Sequence, residues 1–196
     1  MSGVRLTPKR YKEIESAVVE MFEECGLHTV PIDCFAIADK LYYRLKPYSS
    51  LPLDEQWDAL EKSEDGFSCI EQDPFTKMYA YVIYYNDYEQ NLRRVRFTIF
   101  HEIGHIYLGH LDDREGKDSE TLESEANFFA RNAICPLPLM NMTGITDINE
   151  VCDTFDVSFI SAGYICHAYD KWITYGPNYF LDHELKLIHM FMPEVA

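Results

Sequence analysis

The sequence has few of the features that mark proteins binding nucleic acids or membranes. Basic residues are scarce: 17 lysines and arginines stand against 33 aspartates and glutamates, a formal net charge of −16. A surface this acidic repels phosphate backbones and anionic lipid headgroups, so we expect no direct binding to nucleic acid or to a membrane. The same electric field favours a basic protein as partner or substrate.

Long apolar runs and an apolar leader are also missing. The longest near-continuous apolar stretch in the middle of the chain, residues 79–85, is far too short to cross a bilayer. The basic start MSGVRLTPKR is not followed by an apolar segment, which argues against a secretory signal. The six cysteines form no C-x-x-C pair. We therefore expect a cytoplasmic protein with buried, reduced thiols.

What the sequence does contain is enough apolar material for a folded domain. Of its 196 residues, 47% are hydrophobic. Hydrophobic periodicity predicts helices over residues 9–25, 32–43, 54–62, 93–109, 121–134, 147–155 and 158–169. Residues 67–72 and 78–85 are predicted as strands that the segment 73–77 joins into a hairpin. Residues 47–52 and the acidic segment 112–120 are predicted as loops, and a less regular aromatic tail follows the last helix.

These elements predict an α+β fold, mostly helical with a small antiparallel sheet. Gly144 is a plausible point at which the main part of the chain ends. We therefore divide the chain into a core domain, residues 1–143, and a small helical C-terminal extension of the same unit, residues 144–196.

The helix predicted over residues 93–109 carries an H-E-x-x-H motif formed by His101, Glu102 and His105. Positions i and i+4 lie on one face of a helix, so both imidazoles could bind one zinc ion. Glu102 lies one step around the helix, where it could take a proton from a water on the metal. Apolar residues between Phe97 and Leu108 surround the motif, and a metal ion would satisfy histidines buried among them.

A catalytic zinc ion usually has three protein ligands, so the sequence must supply one more. His110 does not fit the pattern H-E-x-x-H-x-x-G-x-x-H, which needs glycine at position 108 and histidine at position 111, where the chain has leucine. His110 is therefore expected to lie at the helix end or to support a ligand. His183 and His189 are six residues apart and form no second motif.

A carboxylate on the helix over residues 121–134 is the better candidate. At about 100° per residue, Glu123 points roughly 50° from the centre of the apolar face, whereas Glu125 and Glu120 point roughly 110° away. Glu123 is thus predicted to face the core and to bind the metal, with Glu125 as the second choice. Asn127 follows Glu123 by one turn and could support a ligand.

These segments resemble the ImmA/IrrE family of metallopeptidases. The matching stretches are PIDCFAIADKL, IYYND, RFTIFHEIGHIYLGH and ESEANFFARNAICP, and they cover roughly residues 30–138. The resemblance implies a compact zincin-like core in which His101, His105 and Glu123 hold zinc and Glu102 is the general base. It also implies a role beside helix-turn-helix repressors of phages, mobile elements or stress responses, which such enzymes cleave or help to cleave.

Three functions follow from these patterns. The first is a zinc endopeptidase, for which Tyr164, His167 and Tyr175 are candidates to stabilise the oxyanion. The second is a binding module in which zinc stabilises the fold and the protein sequesters a repressor without cleaving it. The third is a protein without metal, whose histidines belong to the core.

Overall fold

The fold was analysed in a computed structural model that describes residues 4–112 and 118–192. The helices in chain order are α1 (Pro8–Cys25), α2 (Cys34–Lys40), α3 (Leu53–Lys62), α4 (Leu92–Tyr107), α5 (Ser119–Ile134), α6 (Leu137–Thr143), α7 (Ile148–Phe155), α8 (Phe159–Tyr175) and α9 (Asp182–Phe191). The strands are β1 (Arg44–Pro47), β2 (Gly66–Gln72) and β3 (Tyr79–Tyr85). This confirms the predicted α+β fold class.

Contacts divide the chain into two compact units. Among the described residues, one unit comprises residues 4–7, 33–112 and 118–130, and the other comprises residues 8–32 and 131–192. The sequence-based division into residues 1–143 and 144–196 stays a prediction, because contacts alone do not test which segments fold together. Part of the predicted acidic loop, residues 113–117, lies outside the described residues.

The sheet belongs to the first unit and has the strand order β1-β3-β2. β2 and β3 form the predicted antiparallel hairpin, in which Ser68 pairs with Ile83. The side chain of Asp73 begins the turn by accepting hydrogen bonds from the backbone N–H groups of Phe75 and Thr76. β1 pairs with β3 in parallel and was missed in the prediction, because its four residues pair with a strand far along the chain.

α4 packs on the sheet and carries the predicted motif. Its first turn begins at Asn91, whose side chain accepts a hydrogen bond from the N–H of Arg93 and so caps the helix. Ile99, Phe100 and Ile103 are completely buried, and the helix contacts both β2 and β3. The sheet therefore fixes which face of α4 remains for the histidines.

α2 is shorter than the helix predicted over residues 32–43. Asp33 caps its start by accepting hydrogen bonds from Phe35 and Ala36. The helix ends at Lys40, and Tyr42 has a positive φ of 58°. The apolar periodicity continued past the end because the turn after α2 is also partly buried.

The second unit is helical throughout its regular structure. Its core includes Val18, Phe22, Met140 and Phe155, and Phe191 of α9 packs edge-on against Phe22 with ring centroids 5.9 Å apart. The prediction of a less regular aromatic tail was wrong over much of its length. α8 runs on to Tyr175, and α9 forms a further helix.

Two other sequence inferences concern thiols and membranes. All six cysteines are free thiols in the structure, and four of them are buried. Among the described residues, no helix is both long enough and apolar enough to span a bilayer.

Candidate metal centre

The two histidines of α4 lie side by side on one face of the helix. His101 Nε2 and His105 Nε2 are 3.0 Å apart, and the side chains of both are only 12–13% exposed. Their spacing of four residues places them one turn apart, as predicted. Both Nε2 atoms therefore point to the same place.

Glu123 reaches this place from α5. Its carboxylate oxygens lie 3.2 Å from His101 Nε2 and 3.3 Å from His105 Nε2. Hydrogen bonds with His101 and then His105 lower the pKa of Glu123 well below its usual range. Burial alone would lower the pKa of His101, but the hydrogen bond with Glu123 and the charge of Glu102 outweigh burial and raise it.

These three side chains fit a zinc ion. Two ligand atoms at 2.0–2.1 Å from one tetrahedral zinc ion lie about 3.3–3.4 Å from each other. The three observed separations are 3.0–3.3 Å. His101, His105 and Glu123 are also the group of potential metal ligands that the described residues bring together. Because the side chain of Glu123 is 56% exposed, the group is open to solvent on its side.

Gly104 allows α4 and α5 to approach closely enough for this convergence. A Cβ atom at Gly104 would lie 3.0–3.2 Å from the Cβ and ring atoms of Phe129 on α5. Such contacts are tighter than ordinary packing, so a larger residue would push Phe129 away. The glycine inside the H-E-x-x-H motif thus lets α5 lie close enough to α4 for Glu123 to contact both histidines.

Glu102 lies next to the histidines and is buried, with 7% of its surface exposed. The hydroxyl of Ser68 on β2 donates a 2.6 Å hydrogen bond to Glu102 Oε2. This contact connects the sheet to the motif and holds one oxygen of the carboxylate. Ser68 was not predicted as a site residue. The residue pattern of β2 does not show which side chain of α4 its hydroxyl contacts.

The helical-face argument for the two glutamates of α5 was wrong about burial. Glu125, predicted to point away from the core, is 2% exposed, whereas Glu123 is exposed. Glu125 Oε2 lies 3.0 Å from His110 Nε2, so a buried partner explains its position. His110 lies just past the end of α4, close to a candidate ligand, as expected.

Of the remaining side chains considered in the sequence, Asn127 lies beside the group and the others lie elsewhere. Tyr164, His167 and Tyr175 are exposed residues of α8 in the second unit, and their role at an oxyanion stays a prediction. His183 is near Glu15, with Nε2 and Oε2 3.4 Å apart. The interaction of Asn127 with His101 helps to raise the pKa of that histidine, so Asn127 does lie beside the group.

A helix with H-E-x-x-H, joined by a glutamate from the following helix, defines a metallopeptidase-type site. Residues 59–166, more than half of the chain, match the peptidase family M78 model described as the IrrE N-terminal-like domain. The chain belongs to this family of metallopeptidases, which confirms the resemblance seen in the sequence. A search of curated proteins gives no match.

Proposed function

We propose that the chain is a zinc-dependent endopeptidase that cleaves a basic, DNA-binding repressor of the helix-turn-helix class. The convergence of His101, His105 and Glu123, with donor atoms 3.0–3.3 Å apart, carries this proposal. Membership of the peptidase family supports the hydrolytic part. The choice of zinc rests on the donor set, and the choice of substrate rests on charge and on the family resemblance.

Two imidazoles and a carboxylate would hold the zinc ion. This donor set, with one position left for water or substrate, is common in catalytic zinc sites. When bound, zinc polarises the scissile carbonyl and lowers the pKa of water. Structural zinc sites are usually closed by four protein ligands, whereas the described residues bring three together here. The open group therefore favours catalysis over a purely structural role.

Glu102 would serve as the general base and then as the general acid. Its carboxylate takes a proton from the attacking water and delivers it to the leaving amine. The hydrogen bond from Ser68 holds Glu102 Oε2, which limits rotation of the carboxylate. A binding module that only sequesters a repressor needs no general base, so a glutamate at this position favours cleavage.

The charge of the whole chain supports the proposed substrate class. A net charge of −16 attracts basic proteins and speeds their encounter at low ionic strength. Proteins that bind DNA through helix-turn-helix domains present basic surfaces, which makes them suitable partners. Cleavage of such a substrate is expected to slow as salt is added, because salt screens exposed charges.

The test combines metal analysis with cleavage of a purified, basic repressor of the helix-turn-helix class. The wild-type protein should bind about one equivalent of zinc and cut the repressor. Glu102→Gln should retain zinc and lose cleavage, since the amide cannot accept the proton. Glu120→Gln, which changes an exposed acid at the start of α5, is the matched control and should cut normally.

Each part of the proposal can fail separately. A folded wild-type protein without zinc would reject the metal site. Zinc binding with equal cleavage by wild type and Glu102→Gln would remove the assigned base. A repressor that the wild type binds tightly but never cuts would support the sequestering module instead.

A further inference from the structure

A buried row of polar side chains extends from His105 away from the candidate metal centre. His105 Nδ1 is 3.0 Å from His110 Nδ1, and His110 Nε2 is 3.0 Å from Glu125 Oε2. His110 and Glu125 are 3% and 2% exposed. Burying an ionisable pair is costly unless the groups satisfy each other, so this row needs an explanation beyond ordinary core packing.

We propose that His110 and Glu125 are positioning residues, which fix the ring orientation and tautomer that His105 needs in order to bind a metal ion through Nε2. This inference rests on the proposed function, because it assumes that His105 is a metal ligand. Neither residue is itself one of the three proposed ligands. Both act through the opposite edge of the His105 ring.

The proton positions follow from a single requirement. A neutral His105 that offers Nε2 to a metal must carry its proton on Nδ1. The Nδ1–H then donates to His110 Nδ1, which must be without a proton to accept the bond. His110 consequently carries its proton on Nε2 and donates it to the carboxylate of Glu125. Each hydrogen bond in the row therefore has one donor and one acceptor.

The backbone at the end of α4 brings His110 back against His105. The N–H of Gly109 donates to the carbonyl of Ile106, and the N–H of His110 donates to the carbonyl of His105. These two bonds, with Gly109 at a φ of +74°, form a Schellman motif. The glycine that did not fit the longer zinc motif thus ends the helix and turns His110 toward the ligand.

The other histidine of the motif lacks such a row. His101 Nδ1 is buried and has no hydrogen-bond partner among the described residues, although Asn127 lies close enough to favour the charged form. The two ligands are therefore supported unequally. Hydrogen bonds to the second nitrogen of a metal-binding histidine commonly raise metal affinity about 10–100-fold. The row through His110 supplies this support to His105 alone.

The test measures zinc affinity by competition with a chromogenic chelator, using the full-length protein. His110→Ala should weaken zinc binding about 10–100-fold. His110→Asn keeps an acceptor oxygen near the position of Nδ1, so it should recover much of that loss. Glu125→Gln should fall between wild type and His110→Ala. Glu120→Gln, an exposed change on the same helix, should bind zinc like the wild type.

Circular dichroism of the metal-free variants separates positioning from folding. A merely structural role would lower the unfolding temperature but leave the zinc affinity of the folded protein unchanged, and that result would overturn the inference. Wild-type protein that fails to bind zinc would reject the proposed metal site and this inference with it. Wild type and His110→Ala with equal affinities would reject the inference alone.

A second measurement needs no variant, in case His110→Ala does not fold. Long-range ¹H–¹⁵N spectra of the zinc-loaded wild type report which ring nitrogen carries the proton. We expect the proton on Nδ1 of His105 and on Nε2 of His110. A proton on Nδ1 of His110, or on both of its nitrogens, would contradict the proposed row.

Discussion

The two faces of α5 differ in how they use a carboxylate. Glu123 has a side chain that is 56% exposed and meets two imidazoles, whereas the Glu125 side chain is 3% exposed and meets one. The exposed glutamate leaves its group open to solvent, which a centre that must admit water and a peptide requires. The buried glutamate has a fixed partner and no access. On α5, exposure therefore goes with the proposed ligand and burial with the proposed support.

Removing the exposed carboxylate should have the largest effect on metal binding. Glu123→Ala takes away one of three proposed ligands, so zinc affinity should fall by more than the roughly 10–100-fold expected for a lost supporting contact. Chelator competition measures the loss, with Glu120→Ala as the control. If Glu123→Ala still binds zinc like the wild type, Glu123 is not a ligand. The proposed difference between Glu123 and Glu125 would then be wrong.

Removing the buried carboxylate should have the larger effect on folding. Glu125→Ala leaves the buried Nε2 of His110 without its carboxylate, and such losses cost about 1–3 kcal/mol. Glu123→Ala also removes contacts with two imidazoles, but solvent screens its half-exposed carboxylate, so its cost in the metal-free protein should be smaller than that of Glu125→Ala. Urea unfolding of both metal-free variants measures the difference.

A double-mutant cycle sharpens this result. If His110 and Glu125 interact, the combined change His110→Ala with Glu125→Ala should cost less than the sum of the two single changes. Additive costs would mean that the pair in the structure has no energetic coupling. The metal-free protein is used throughout, so that zinc binding does not enter the measured stability.

Gly109 provides a smaller test of how His110 reaches its partners. Gly109→Ala places a side chain in the left-handed region and should cost about 1 kcal/mol of stability. Gly163→Ala is the control, because a Cβ there meets nothing within 4 Å inside α8. This control should stabilise the protein by about 0.4–1 kcal/mol. Thermal unfolding that gives both variants the same sign would contradict the assigned turn.

The smallest expected effect is on stability at acid pH and concerns Asp73. Its carboxylate accepts hydrogen bonds from backbone amides, whereas Glu123 and Glu125 contact histidines. Backbone hydrogen bonds from Thr76 and Phe75 lower the pKa of Asp73 to about 2. Because the folded pKa is depressed, its contribution to stability is present above the ordinary value near pH 4 and is lost as the pH falls through about 2. NMR titration of the carboxyl carbon should find this pKa. In Asp73→Asn, the free energy of unfolding should depend less on pH below about pH 4.

The parts of the fold that rest on local patterns could be predicted from the sequence. β3 is rich in aromatic and β-branched residues, and the helix that carries His101 and His105 has clear apolar periodicity. The structure contains this helix and the hairpin that β3 forms with β2. β1 could not be predicted, because four residues with two cations become a strand only through pairing with β3. α9 was also missed, although acidic residues in its first turn and the buried Leu187 and Ile188 are a local helical signal.

The site was predictable in its ligand candidates and unpredictable in their surroundings. The i,i+4 spacing is enough to bring His101 and His105 together, but the helical wheel misplaced Glu125. A carboxylate that is buried against a histidine does not show up as part of an apolar face. His110 lay one residue out of register with a familiar motif. Its actual position depends on Gly109, and a glycine after the last apolar residue of a helix was the available signal.

The contact between Gly104 and Phe129 has a further consequence for variation at this site. A methyl group at Gly104 would come within 3.0–3.2 Å of Phe129 side-chain atoms and would push α4 and α5 apart. The distance between the Glu123 carboxylate and His105 Nε2, now 3.3 Å, would then increase. A compensating change must therefore shrink the aromatic ring. Substitutions at these two positions should be tolerated together and harmful alone, although neither residue carries a charge or a metal-binding atom.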